Sequence, residues 1–322
     1  MSTFFRLAVA ALVLCVSAVP AFAQGAFPSK TMRIFVGAPP GGSNDIFARP
    51  IAQRLSEIFG QPVVVDNRPG ANQMIAADLT AKAPPDGTTL YMTSMSYTTG
   101  AALMPKLPFD PVADLTGVTM VGKGPMVIVV HPSVPAKNMK EFIAIARAKP
   151  DALNFTTSGI GSNNHLGVEV LMSMTKIKMV HVPHKGMAPA LTDLMAGQAQ
   201  MLLISLPSVE AQMKSGRLRA IGITSPKRSS FLPDMPTVAE TVPGYEHELW
   251  WGLFTAAKTP KAALDRLNSE IRKIIVTDEM KKRFTEFGAE SAPTSPEEFS
   301  AIVKNEIAKW TKVVKEANIK AE

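Results

Sequence analysis

Cysteine is almost absent from this sequence, and the single one, Cys15, lies in an apolar run that follows Arg6. The run ends in a small-x-small pattern at 21–23, is short for a membrane span and is followed by no stop-transfer charges. We therefore expect residues 1–23 to be a cleaved secretory signal peptide. The exported chain would then have no thiol, which excludes thiol catalysis, disulfides, iron–sulfur clusters and cysteine–zinc sites.

The motifs of common nucleotide-dependent and hydrolytic enzymes are also missing. Gly159 and Gly161 lack the third glycine of a dinucleotide loop, no phosphate-binding Gly-x-x-x-x-Gly-Lys-Ser/Thr run occurs, and Ser162 is not in a Gly-x-Ser-x-Gly turn. The histidines form no His-x-x-x-His pair, and His181 and His184 fall on a strand and its turn, where their side chains point differently. We expect no cofactor, no metal and no catalytic nucleophile.

Clustered positive charge is absent as well. The formal net charge is +7 and becomes +6 once Arg6 is removed with the leader, but the basic residues are spread along the chain. A nucleic-acid-binding protein would be expected to show a basic stripe with interleaved aromatic residues. The sequence therefore predicts no nucleic-acid partner, while a modest positive excess is compatible with anionic ligands.

What the chain does contain is a regular alternation of short β-branched runs and helical patterns. In the first third, strands are predicted at 31–38, 62–67 and 88–94, with helices at 44–59 and 72–83. This is the βαβ rhythm of a parallel sheet. Pro50 lies inside the first helix, so we expect a kink near Ile46 or a later helix start.

A second alternation follows an apolar crossing at 118–131. It has helices at 137–149, 163–175, 187–196 and 207–215, and strands at 153–157, 178–182, 200–205 and 218–224. The run at 249–254 then returns to the first unit, and apolar stripes at helical spacing fill the tail. The predicted fold is α/β, with two parallel-sheet lobes, a hinge and a central cleft. Lobe 1 comprises 24–123 and 252–322, and lobe 2 comprises 124–251.

Two glycine-containing turns stand where a predicted strand gives way to a helix, one in each lobe. Hydroxyls, glycines and backbone N–H groups at a helix start suit an anion, although an ordinary strand-to-helix turn remains the alternative. The candidates in the first turn are Pro40, Gly41, Gly42, Ser43, Asn44 and Asp45, and those in the second are Thr157, Ser158, Gly159, Gly161, Ser162 and His165. A third turn, at 67–72, is expected to use Arg68 in a structural salt bridge, with ligand contact as the alternative.

Ordered blocks along nearly the whole mature chain resemble the periplasmic solute-binding proteins of tripartite tricarboxylate transporters, the Bug or TctC family. These blocks lie at 28–30, 39–45, 67–71, 85–90, 132–137, 181–183, 185–186, 188–194, 234–240 and 307–310. The resemblance implies a type II periplasmic binding fold that closes on a small carboxylate and delivers it to a membrane permease. It also implies that the turns at 39–45 and 157–165 hold the carboxylate through backbone amides and water.

The sequence departs from the family pattern on the distal side of the implied pocket. His184 stands where the family usually has tyrosine, and Ile204 and Ser205 stand where it commonly has aspartate and asparagine. With Ser94, these residues complete the ligand-binding candidates. Because Ile204 cannot neutralise an ammonium group, we expect a non-amino carboxylate, such as an aromatic acid or a dicarboxylate.

Function is expected to be solute capture by a monomer in the periplasm. A periplasmic α/β hydrolase and a binding module that feeds a sensor are the alternatives.

Overall fold

The computed structural model describes residues 27–104, 106–230 and 232–319, so the predicted signal peptide lies outside the described residues. The strands are β1 (Met32–Val36), β2 (Val63–Asn67), β3 (Thr89–Ser94), β4 (Leu115–Val130), β5 (Asn154–Thr157), β6 (Val180–Pro183), β7 (Met201–Ser205), β8 (Arg219–Ile223), β9 (Glu248–Ala256) and β10 (Glu290–Ser291). The helices are α1 (Ser43–Phe59), α2 (Met74–Ala81), α3 (Ser96–Leu103), α4 (Met139–Ala148), α5 (Asn163–Thr175), α6 (Met187–Met195), α7 (Leu206–Lys214), α8 (Lys261–Ile275), α9 (Asp278–Glu286) and α10 (Pro296–Glu316).

Strand β4 belongs to two sheets. Its first part, 115–125, pairs antiparallel with β9, which continues through β3 to the parallel strands β1 and β2. Its second part, 126–130, lies between β7 and β8, and β7 continues to the parallel strands β5 and β6. Strands β1, β2 and β3 of the first sheet are parallel, as are β5, β6 and β7 of the second. Strand β9 pairs antiparallel with β3 and β4, and β4 pairs antiparallel with β7, β8 and β10. This confirms the predicted α/β class.

Each sheet has a hydrophobic core on both of its faces. Successive side chains of a strand point to opposite faces, so neighbouring residues pack in different cores. On β1, Ile34 packs in a core with α1 and α8, while Phe35 packs in another core with α3 and α10. On β7, Leu203 and Leu202 divide in the same way between two cores of the second sheet. The boundaries proposed for lobe 1 and lobe 2 remain a prediction.

Helix α1 runs without a break across Pro50, so the expected late start is wrong. The Ile46 N–H already donates to the Gly42 carbonyl at 3.0 Å, which closes the first helical turn. Proline removes one backbone donor from the helix. Burial of Phe47 and Ile51 against the first sheet outweighs that loss.

The second predicted helix, 72–83, begins later than expected. Ala71, Asn72 and Gln73 have φ angles of 44°, 49° and 73°, and α2 starts only at Met74. This left-handed turn was not predicted, because residues other than glycine rarely adopt positive φ. Helix α3 was not predicted either, since 96–103 contains glycine and adjacent threonines with no capping signal.

Gly252 in β9 lies directly beneath the buried ring of Phe299, with room for no side chain. A Cβ added there would be 2.1 Å from Phe299 Cζ. We expect Gly252→Ala to lower the free energy of unfolding by about 1–3 kcal/mol, since the ring must shift in a close-packed core. Urea denaturation measures this, and Phe299→Leu should reduce the added cost in the double variant. Equal stability of Gly252→Ala and the parent would contradict the packing.

Candidate functional site

The carboxylate of Asp45 organises the first turn, which joins β1 to α1. It accepts the Gly41 N–H at 3.0 Å, Arg49 Nε and one terminal nitrogen of the same guanidinium at 2.9 Å each, and Asn67 Nδ2 at 3.0 Å. Asn67 ends β2, so these bonds tie the turn to the neighbouring strand. Burial by itself raises the pKa of Asp45, but the bonds from Arg49, Gly41 and Asn67 outweigh it and hold the pKa below its usual value.

The Asp45 side chain is therefore fully engaged within the protein. Its predicted role in ligand binding can fall only on its backbone N–H. The carboxylate shapes the turn.

The N-terminus of α1 has no side-chain cap. Gly42 occupies the N-cap position and no side chain accepts a capping hydrogen bond there, although Ser43, Asn44 and Asp45 are residue types that often cap helices. The first N–H groups of a helix have no partner within the helix and lie at the positive end of its dipole. The Ser43 hydroxyl accepts the Trp251 indole N–H at 2.9 Å, which leaves the hydroxyl hydrogen free to serve as a further donor.

Gln73 connects two of the predicted site residues, and sequence reasoning missed it. Its Oε1 accepts Asn44 Nδ2 at 2.9 Å and the Thr93 hydroxyl at 2.7 Å, and its Nε2 donates to Ser94 Oγ at 3.1 Å. The only sequence signal was its place just after the glycine turn at 67–72. Polar side chains from the first turn of α1 and from the end of β3 thus meet through one amide.

The second turn joins β5 to α5 and differs from the first in having a capped helix. Ser162 accepts the His165 backbone N–H, and the Ser158 and Ser162 hydroxyls both lie within hydrogen-bond distance of Asn164 Oδ1; Ser162 Oγ is also 2.6 Å from the Gly159 carbonyl. The turn is also held from the loop that follows β6, because the Gly186 N–H donates to the Ser158 carbonyl at 3.2 Å. Its hydroxyls are therefore ordered by internal bonds.

Gly161 is held inside the second turn by His165. The Gly161 N–H donates to His165 Nδ1 at 2.9 Å, and His165 Nε2 lies 3.4 Å from a Glu169 carboxylate oxygen. This arrangement requires an unprotonated Nδ1. The Gly161 amide, which was expected to face the ligand, is already in use in this structure.

His181 stacks behind the second turn. Its ring lies 3.9 Å from that of His165 and 4.8 Å from that of Phe155, and its Nε2 is 2.6 Å from the Thr157 hydroxyl. Burial, with smaller contributions from His165 and His184, lowers the pKa of His181 to about 4. His181 is therefore neutral near pH 7 and cannot supply a positive charge to an anion.

Of the residues predicted for the distal side of the pocket, two have polar contacts and the third is fully buried. His184 Nε2 lies 3.0 Å from Asp193 Oδ2, and Ser205, at the N-cap of α7, has its hydroxyl 2.8 Å from that of Ser208. Ile204 has no exposed surface and packs with Val127 and other apolar side chains in a core of the second sheet. The expectation that Ile204 lines the pocket is therefore wrong.

The second turn contacts α3, the helix that follows β3. Gly161 has φ +71°, and a Cβ added there would lie 2.2 Å from Leu103 Cδ1. Since α3 begins directly after the strand that carries Ser94, the two candidate regions are linked by close packing.

Within the described parts of the chain, no group of three or more histidine, cysteine or acidic side chains is arranged to hold a metal ion. The same residues include no helix with the length and apolar character needed to span a bilayer.

The comparison with known families gives one match over most of the chain. Residues 47–319 match the tripartite tricarboxylate transporter family receptor. A curated relative, Protein BugT of Bordetella pertussis, is 34% identical over 91% of this chain and 91% of its own length. The chain belongs to this family of periplasmic receptors.

Solved structures agree in fold. One titled R. palustris Rpa4515 with adipate has a TM-score of 0.76 and 34% identity, covering 91% of this chain and 99% of that one. Another, MatC (Rpa3494) from Rhodopseudomonas palustris with bound malate, has a TM-score of 0.72 and 30% identity over 89% of this chain and 100% of its own. The architecture is the two-lobed type II periplasmic binding fold.

The Asp45 bonds generate a pH-dependent prediction. A carboxyl whose pKa is lowered on folding stabilises the protein above the unfolded-state pKa, and this is lost as the pH falls through the folded-state pKa. We expect Asp45→Asn to lower the free energy of unfolding by about 1–3 kcal/mol at pH 7, because charge-assisted bonds are removed. The difference should narrow as the pH falls below 3.8, the usual value for this group.

Urea denaturation between pH 7 and pH 3 measures the effect. Asp265→Asn is the matched control, since it breaks an exposed i, i+4 pair with Lys261 and should change stability by less than about 0.5 kcal/mol. Equal losses in the two variants at pH 7 would contradict the organising role of Asp45.

Proposed function

We propose that this protein is a monomeric periplasmic solute-binding protein. It captures a small non-amino carboxylate between the turns at 39–45 and 157–165 and delivers it to the permease subunits of a tripartite tricarboxylate-type transporter. Residues 1–23 direct export and are cleaved, and the two turns belong to the proposed lobes 1 and 2. The observation that carries the proposal is the uncapped N-terminus of α1, beside the carboxyl end of β1.

That N-terminus offers donors suited to a carboxylate. The backbone N–H groups of the first turn of α1 have no side-chain acceptor at the N-cap, and the Ser43 hydroxyl still has its hydrogen to donate. An anion there also gains from the helix dipole. A carboxylate satisfies these groups without a metal or a charged side chain.

An ammonium group finds no free counter-charge in the first turn, because the Asp45 carboxylate is already paired with the Arg49 guanidinium. Burying an unpaired ammonium group costs several kcal/mol. This replaces the argument from Ile204 and supports the same conclusion, that amino acids bind less tightly than other carboxylic acids.

Dicarboxylates are the first ligand class to examine. Of the two similar solved structures, one is a protein with adipate and the other a protein with bound malate. Aromatic acids remain in the proposal, because the turns specify a carboxylate and not the rest of the molecule.

A hydrolase receives no support from the geometry of the second turn. The Ser158 and Ser162 hydroxyls are bonded within the turn, to Asn164 and to the Gly159 carbonyl, and the His165 side chain accepts a backbone N–H. Thr157 lies beside His181, but Thr157 is fully buried and cannot reach a substrate. The binding role therefore explains these contacts better.

Calorimetric titration of ligand-free protein tests the proposed function. Succinate, adipate, malate and benzoate form one panel, and aspartate and glutamate form the other. We expect one-to-one binding of at least one acid of the first panel, tighter than either amino acid, with the acid recovered unchanged. At a hundred times its dissociation constant that acid should add about 2.7 kcal/mol to stability. Binding of no panel acid, or turnover of a bound acid, would overturn the proposal.

The contact between Gly161 and Leu103 predicts that closure tolerates no side chain at Gly161. Gly161→Ala should weaken binding of the best panel acid at least tenfold, because its Cβ would collide with Leu103. Gly216→Ala is the matched control, since Gly216 has φ +72° and nothing within 4 Å of an added Cβ. Both variants acquire backbone strain of about 1–2 kcal/mol.

Titration of the two variants separates strain from contact. Gly216→Ala should bind as the parent does, and Leu103→Ala should restore part of the affinity of Gly161→Ala. Parent-like affinity in Gly161→Ala would show that this contact plays no part in binding.

A further inference from the structure

The turn at Ala71–Gln73 is the most strained backbone beside the candidate site. Three consecutive residues other than glycine adopt positive φ, a conformation in which the Cβ atom of an L residue is crowded. Such strain persists only where the surroundings impose it, and it clusters at functional positions. The question is what this chain gains from a side chain at Gln73.

Packing fixes Gln73 in its place. A Cβ added at Gly37 would lie 2.6 Å from Gln73 Cβ, and one added at Gly100 would lie 2.8 Å from Asn72 Cβ, so two glycines make room for the turn. The Tyr91 hydroxyl donates to the Gln73 carbonyl at 3.1 Å from within the first sheet. The direction of the Gln73 side chain is thus set by its own backbone and by the packing of Gly37 and Tyr91 against it.

The bonds of the Gln73 amide also identify its acceptor atom and its donor atom. Asn44 and Thr93 both donate to Oε1, so Oε1 is the acceptor and Nε2 the donor. Nε2 carries two hydrogens, and Ser94 accepts one of them. Gln73 is only half-buried, and among the described residues no acceptor takes the second hydrogen, which can therefore be donated to a ligand.

We propose that Gln73 is a specificity-determining residue of this site. Its amide holds Asn44 and Ser94 in position and donates its second Nε2 hydrogen to a carboxylate oxygen of the ligand. An ammonium group would need an acceptor at this point and meets a donor instead, so Gln73 discriminates against amino acids. The inference rests on the proposed function and assigns its selectivity to one side chain.

Gln73→Glu tests the inference with an almost isosteric change. Asn44 and Thr93 can still donate to one oxygen, and the Ser94 hydroxyl can turn to donate to the other. At pH 7.5 we expect at least tenfold weaker binding of whichever of succinate, adipate, malate or benzoate the parent binds most tightly. The affinity for glutamate relative to that acid should rise at least tenfold, because the new carboxylate lacks a basic partner.

A pair of glycine substitutions separates the chemistry from the strain. Gln73→Gly and Asn72→Gly each relieve one positive φ, so neither should lower the melting temperature through the backbone. Only Gln73→Gly removes the side-chain amide of Gln73. We expect it to lose at least tenfold in affinity for the same acid, while Asn72→Gly binds as the parent does.

The outcomes distinguish this inference from the proposed function. If the parent binds a panel acid and both Gln73 variants bind it within twofold of the parent, with unchanged preference over glutamate, the inference is overturned and the proposed function stands. Equal losses in Gln73→Gly and Asn72→Gly would also overturn it, since the turn and not the amide would then matter. A parent that binds no panel acid overturns both.

Discussion

The continuity of β4 is the constraint on which the rest of the structure depends. One strand supplies 115–125 to the first sheet and 126–130 to the second, so the two sheets cannot be placed independently. Strand β9 returns beside it, with Pro125 opposite Glu248. Because parallel strands end in turns at the carboxyl edge of their sheet, this shared strand connects the two sets of turns.

The chemistry of the site depends on which polar groups are already satisfied. The Asp45 carboxylate of the first turn is paired with the Arg49 guanidinium. His181 is kept neutral by burial. The groups left to contact a ligand are neutral hydrogen-bond donors, which favour an anion and offer no acceptor to a cation.

Much of this arrangement could be predicted from the sequence, because alternating periodicity identifies strands and helices wherever one pattern dominates. The helix at 163–175 was predicted with its observed bounds, and Arg68 forms the expected salt bridge with Asp66. The burial of Ile204 could not be predicted in this way. Every residue from 201 to 204 is apolar and both faces of the sheet are buried, so no alternation indicates which side chains face a cleft.

The left-handed turn could not be predicted for a different reason. Ala71, Asn72 and Gln73 continue into a helical pattern, and although asparagine tolerates positive φ, local preference gives no sign of it at Ala71 or Gln73. Gly37 and Gly100, which are distant in sequence, leave the room that this turn occupies. A residue placed by tertiary packing in this way is visible only in the structure.

Hydrogen exchange with and without a saturating dicarboxylate tests the central claim most directly, because the claim is that two turns on two sheets hold one anion. The account predicts slower exchange of the backbone amides in both 40–46 and 158–165, with the same dependence on ligand concentration. Protection confined to one of these turns, or found only elsewhere in the chain, would contradict it.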